Sequence, residues 1–191
     1  MKIILKYILK DKFDFNKNEV LFISMQISNS FGNKSYGYYA LGDLFVLLFF
    51  GFLSVMGSYY LYAKDLEINI ILPSFSVGLL SVAVINLNNM RDLVSDKLSN
   101  KITIAGKLGF NNSKKYHFLI LISSIVFSIL FILFFYYKPI SLIVILSYVP
   151  IIIHLKKVYC ITKPEHYNNE LKKVAISTFV FSLIHSLIII M

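Results

Sequence analysis

A single cysteine, Cys160, leaves no partner for an internal disulfide, so the chain is not a small scaffold stapled by bridges. Charge is scarce too: Asp, Glu, Lys and Arg make up 15% of the residues, too few to coat a soluble domain. The four histidines, His117, His154, His166 and His185, lack the spacing of a paired metal-ligand motif, which argues against zinc. The opening MKIILKYILK intersperses lysines and has no compact apolar stretch ending in small residues, so it does not read as a signal peptide. No repeat, heptad or low-complexity tract is present.

What fills the sequence is apolar: 57% hydrophobic residues and a mean hydropathy of +0.71 make a bilayer the expected solvent. A hydrocarbon core of about 30 Å needs roughly 20 apolar residues in a helix. Five runs approach that length, near 43–63, 70–89, 116–137, 139–156 and 174–191. The predicted fold is therefore all-α and integral to the membrane, with about five transmembrane helices in one domain over 41–191. Residues 1–40 form an atypical N-terminal segment, interfacial or left over from lost helices, because Lys6, Lys10, Asp11, Lys12 and Asp14 interrupt anything that could cross.

The net charge of +9 does not imply nucleic acid, because the basic residues sit in short stretches between apolar runs and line no groove. Of the 19 lysines and arginines, 17 precede the first run or fall in the second-to-third and fourth-to-fifth loops. Only Lys64 and Lys138 remain for the opposite face, so the N-terminus and both long loops are expected to be cytoplasmic.

The loop leaving the second run, NLNNMRDLVSDKLSNKITIAGKLG over 86–109, carries the chemistry. If the helix continues through Asp96, then Asn88, Asp92 and Asp96 stack on one face with Asn89 beside them. Two carboxylates four residues apart repel each other, and a bound cation reverses that sign. Magnesium suits them, since it takes one or two carboxylates plus substrate phosphates and keeps water in its remaining positions. Arg91, Lys97 and Lys101 surround the pair and could meet diphosphate oxygens, the arginine as a fork and the lysines as point charges. A juxtamembrane loop holds mixed charges in any case, and DxxxD spacing alone does not separate the two readings.

The resemblance is more specific. Asn88, Asn89, Arg91, Asp92, Asp96, Lys101, Thr103, Leu108 and Gly109 match NNxRDxxxDxxxGKxTxxxxLG, the second aspartate-rich motif of UbiA-type prenyltransferases, in particular the 1,4-dihydroxy-2-naphthoate polyprenyltransferases. Asn100 stands where that family has glycine. A second block, KSYGYYALGDLFVLLFFG over 34–51 with GSYYL from Gly57, resembles the family's PYGYxGLGDxFVFxFFG and following GTYY, with Ser35 in place of proline.

The resemblance implies the last five helices of a nine-helix bundle in a bacterial inner membrane, with the aspartate-rich loop cytoplasmic. It also implies Mg2+, a prenyl diphosphate and an aromatic acceptor, 1,4-dihydroxy-2-naphthoate, joined in menaquinone synthesis. Asp92 and Asp96 would be catalytic and metal-holding, Arg91, Lys97 and Lys101 diphosphate-binding, and Asn88 and Asn89 supporting. The family's first motif, near NDxxDxxxD, has no full counterpart before Lys34, where Asp11 and Asp14 are a faint echo. A separately encoded N-terminal half is therefore an expected partner, and an inactive fragment, or an enzyme acting on another aromatic acceptor, is an alternative. Tyr59, Tyr60 and Ser81 are candidates for the cavity lining or, for the tyrosines, interface anchors. A five-helix transporter would be marked by unwound segments near mid-membrane, and Gly51, Gly57 and Gly78 are too scattered to argue one.

Overall fold

A computed structural model describes residues 40–135, 141 and 143–190. Five long helices and one short one account for almost all of them: α1 (Gly42–Ala63), α2 (Ile68–Arg91), α3 (Leu93–Leu98), α4 (Ile104–Phe135), α5 (Ile143–Cys160) and α6 (Tyr167–Ile190). Helices α1, α2, α4 and α5 are long and apolar enough to cross a membrane, whereas α6 does not meet the same test over its described residues. Its first turns carry Asn168, Asn169, Glu170, Lys172 and Lys173 before the apolar run begins, so it starts seven residues ahead of the expected 174. The end of the third apolar run and the start of the fourth, near 136–140, lie outside the described residues, as does the N-terminal segment up to residue 39 with Asp11 and Asp14.

The expected start of α4 at 116 is corrected to Ile104. A kink at Gly109, with φ 74° and ψ 169°, separates a first turn from the long apolar stretch. That backbone region excludes most side chains, which explains the glycine of the KLG triplet. The segment counted as loop, Asn111 to Lys115, is helical and carries its polar residues at the lysine-rich end.

Helix α2 is the centre of the bundle, packing against α1, α4 and α6, while α5 leans on α6. Small residues permit the close crossings, as expected where lipid gives helices no hydrophobic drive to associate. Gly51 of α1 meets Gly78 of α2 so closely that a Cβ on Gly51 would stand 2.6 Å from the Ser74 carbonyl oxygen and 2.8 Å from the Gly78 Cα. The crossing falls in a stretch of π-helix, Leu47–Met56. On the other side of α2, Ser76 donates to the Ser124 carbonyl at 2.9 Å and Ser124 returns a bond to the Ser76 carbonyl at 2.8 Å. Phe52 meets Phe75 edge to face and Phe75 stacks on Phe127, a series of rings across α1, α2 and α4.

The core has two parts. Leu80, Ala83, Leu121, Ile151 and Phe181 fill the middle of the bundle. Leu87, Met90, Ala105, Val158, Tyr167 and Val174 sit beneath the lysine-rich loops and brace the end of α2. Outward side chains such as Phe134, Leu146 and Phe179 are exposed, an arrangement that suits hydrocarbon rather than water.

Candidate functional site

Helix α2 does not continue unbroken through Asp96, the condition for Asn88, Asp92 and Asp96 to stack on one face. It ends at Arg91, and Asp92 adopts φ −93° and ψ 13° before α3 begins at Leu93. The axis still carries over, because Asp92 N–H donates to the Asn88 carbonyl at 3.0 Å and Asp96 N–H to the Asp92 carbonyl at 2.8 Å. The break accompanies a pairing that a regular helix disfavours between neighbours in sequence: Arg91 grips Asp92 with two bonds of 2.7 Å, Nε to Oδ1 and Nη2 to Oδ2.

Asn88 joins the pair, accepting from Arg91 Nη2 at 2.8 Å and donating to Asp92 Oδ2 at 3.3 Å. Arg91 Nη1 reaches across to Asn168 Oδ1 of α6 at 3.3 Å, which ties the cluster to the last helix. The guanidinium hydrogen bonds hold the Asp92 carboxyl below the usual carboxylate range.

Beyond Asp96 the chain turns back through a Schellman motif. Lys101 N–H donates to the Asp96 carbonyl at 2.9 Å and Asn100 N–H to the Lys97 carbonyl at 3.3 Å, with Asn100 at φ 56°. Left-handed backbone is where glycine is easiest and asparagine next best, so the departure from the family pattern at position 100 keeps the turn. The turn returns Lys101 onto the carboxylate it has just passed, with Nζ 3.2 Å from both oxygens of Asp96. Lys97 points away, exposed, and enters none of these ion pairs.

Sequence reasoning missed one acidic residue here. Asp43, in the first turn of α1, is 4% exposed and accepts a 3.0 Å bond from the Tyr116 hydroxyl of α4. It lines a cavity of about 50 Å³ together with Asn89, Lys101 and Thr103. Ala40 N–H, bonded to the Ile102 carbonyl at 2.8 Å, fastens the same segment to the loop. The LGD of the first sequence block was the signal: the two blocks meet in space.

From Asn88 an apolar cleft runs away from the cluster between α1, α2 and α6. It measures about 550 Å³ and is lined by Val46, Phe50, Ser81 and Thr178 among others. A second cavity, of about 480 Å³ and sharing no lining residue with the first, includes Tyr59, Pro73, Val77 and His185. Ser81 therefore lines the cleft, while the Tyr59 hydroxyl donates to Glu67 Oε1 at 2.7 Å at the far end of α1, as an interface anchor would. Tyr60 is about half exposed.

Histidines that are scattered in sequence converge in space. His117 and His154 bond through their Nε2 atoms at 2.9 Å, and His154 Nδ1 meets Glu170 Oε2 at 2.8 Å, joining α4, α5 and α6. His185 is buried against Ser128. Periodicity could not announce these pairings, because each spans different helices.

Fold and site together define a class: a polytopic helical membrane protein with an acidic and basic cluster at the mouth of an apolar cleft. The family profile for the UbiA prenyltransferase family matches residues 31–183, and the chain belongs to that family. It is 48% identical over 114 residues to a 1,4-dihydroxy-2-naphthoate octaprenyltransferase of Escherichia coli (strain K12), a match covering 60% of this chain and 37% of that relative. A protein of the same description from Haemophilus influenzae is 43% identical over 113 residues, with 59% and 37% covered. The UbiA prenyltransferase domain-containing protein 1 of Homo sapiens is 35% identical over 108 residues, with 54% and 32% covered. The match thus spans about a third of the length of these curated relatives. No solved structure matches it significantly.

Proposed function

We propose that this chain takes part in moving a polyprenyl group from a prenyl diphosphate to 1,4-dihydroxy-2-naphthoate, in the synthesis of menaquinone. The observation that carries the reading is the cluster of Asp92, Asp96, Arg91 and Lys101 at the mouth of a cleft whose walls suit an isoprenoid tail. The acceptor comes from the descriptions of the relatives in Escherichia coli and Haemophilus influenzae.

UbiA prenyltransferases generally depend on a divalent metal. Among the described residues no group of three or more His, Cys, Asp or Glu gathers into a self-sufficient metal site. The donor set nonetheless fits magnesium, which needs only one or two carboxylates when phosphate and water complete its shell. Asp92 and Asp96 would hold it, and when bound it would offset the charge that builds on the departing diphosphate. Arg91, whose fork grips Asp92 here, would turn it to phosphate oxygens when the diphosphate binds, and Lys97 and Lys101 would add positive charge nearby. Asn88 orients Arg91 against Asp92. The carbon–oxygen bond of the prenyl diphosphate breaks to release diphosphate, the acceptor ring bonds to the allylic carbon, and the ring gives up its carboxyl group as carbon dioxide, which restores its aromaticity. The aliphatic walls beside Asn88 would keep water from capturing the cation formed on the way.

The facing acidic wall would come from a separately encoded N-terminal half, and the setting would be a bacterial inner membrane with the 92–103 loop cytoplasmic. The test is prenyl transfer from a long-chain prenyl diphosphate to 1,4-dihydroxy-2-naphthoate with magnesium, in membranes containing the chain. Product that disappears in Asp92→Ala supports the enzyme reading. No product with the chain alone, but product on adding an N-terminal half, assigns it to a split enzyme. No product in either case leaves the inactive-fragment reading standing.

A further inference from the structure

Both oxygens of Asp96 are taken by Lys101, with Nζ at 3.2 Å from each. A divalent cation arriving at Asp96 must therefore share the carboxylate with an ammonium or displace it, and like charges at such range repel strongly. The backbone of Lys101 is fixed by the Schellman turn through its N–H bond to the Asp96 carbonyl. Its four-carbon stem is free to rotate, so the ammonium can leave without the loop moving.

Lys101 also lines the cavity of about 50 Å³ that holds Asp43 and Asn89. Asp43 is buried and bonded to the Tyr116 hydroxyl, and among the described residues no cation is paired with it. A buried carboxylate is costly unless a cation or several donors meet it. Lys101 is the cationic residue that lines the same cavity.

We propose that Asp43 is the second seat of the Lys101 ammonium: when a divalent cation occupies Asp96, Lys101 swings into the cavity of Asp43 and Asn89. Asp43 is then a positioning residue that sets the cation affinity of the Asp92 and Asp96 pair without touching the ion. The inference rests on the reading of that pair as a cation site. It also accounts for the second sequence block, whose LGD aspartate compensates the lysine that the aspartate-rich loop must release.

The test is a manganese titration of the full chain in lipid nanodiscs, read by the loss of free-ion paramagnetic resonance. It covers the unmodified protein, Asp96→Asn, Asp43→Asn, Lys101→Met and the Asp43→Asn/Lys101→Met double variant. Asp43→Asn is expected to weaken binding about tenfold, the scale of one partly buried charge pairing. Lys101→Met should tighten binding, and adding Asp43→Asn to it should change nothing further. A loss from Asp43→Asn that persists without Lys101 would mean that Asp43 acts on the ion or the fold directly, and the proposal fails. It also fails if Asp43→Asn has no effect. Absent binding, or binding indifferent to Asp96→Asn, removes the cation site itself and this inference with it. A measurement on the unmodified protein guards against misfolded variants. Acetylation of Lys101, followed by mass spectrometry, should slow severalfold when manganese is added, because the amine moves from a partly open site into a closed one. Faster acetylation would show that the lysine is released to solvent and would overturn the proposal.

Discussion

Asn100 is the single position of the aspartate-rich block that departs from the family pattern, and its φ of 56° shows why the departure is tolerated. Asn100→Gly is therefore expected to leave thermal stability and prenyl transfer within error. Asn100→Ala should cost about 1 kcal/mol, since an ordinary side chain is strained in left-handed backbone. It should also depress transfer, because the turn delivers Lys101 to Asp96. Arg91 sets the behaviour with pH. The folded Asp92 carboxyl lies below its ordinary value, so the stability and site charge it contributes are fully present above the unfolded value near pH 3.9. They are lost only as pH falls through the folded value. Between about pH 5 and 8 Asp92 should add no slope to either stability or rate. In Arg91→Ala the acid limb of the rate profile should move to higher pH, and a limb that stays in place would show that another group sets it. At this scale the sequence was informative about residue type and less so about partners. Asp92, Asp96, Arg91 and Lys101 are where the motif puts them, but the pairing of Lys101 with Asp96 depends on a turn geometry visible only in backbone angles. Asp43 was hidden because the residues it meets, Asn89, Lys101 and Tyr116, all lie on later elements of the chain.

Helix–helix contacts turn on small residues whose sequence positions look unrelated. Gly51 and Gly78 are separated by a whole loop, yet a Cβ on either one would stand inside the neighbouring helix. Gly51→Ala or Gly78→Ala is expected to destabilise the chain by about 1–3 kcal/mol as an overpacked crossing, measured as a drop in melting temperature in detergent. Gly57→Ala is the control: a Cβ there meets nothing within 4 Å, so it should be neutral or slightly stabilising. Apolar run length located α1 and α2 to within a few residues because hydropathy and helix coincide there. It placed the starts of α4 and α6 too late, since both helices begin among lysines and asparagines at the membrane surface, where polar composition and helical backbone are compatible. It also missed the interruption at Asp92, which coincides with the pairing of Arg91 and Asp92.

Across the whole molecule, the mouth of the cleft, the Asp92 and Asp96 cluster and the lysine-rich loops all lie at one end of the bundle. The far end holds Asp65 and Glu67, with Tyr59 and Asn69 hydrogen-bonded to Glu67. The hydrogen bond from Tyr59 leads those that hold the Glu67 carboxyl below its ordinary value, so it stays ionised at neutral pH. The charge asymmetry predicts that the lysine-rich end faces the cytoplasm, the side on which the proposed transfer needs its prenyl donor. The chain carries its own reporter, because its one cysteine, Cys160, is free and exposed at the end of α5, between Lys156 and Lys163. A membrane-impermeant maleimide is expected to label Cys160 in inverted membrane vesicles and to leave it unlabelled in intact cells. A Cys160→Ser/Asp65→Cys variant should show the reverse. Labelling of Cys160 from outside would invert the topology. It would set the carboxylate cluster on the wrong side of the membrane for a cytoplasmic prenyl donor, and the transferase reading would fall with the orientation.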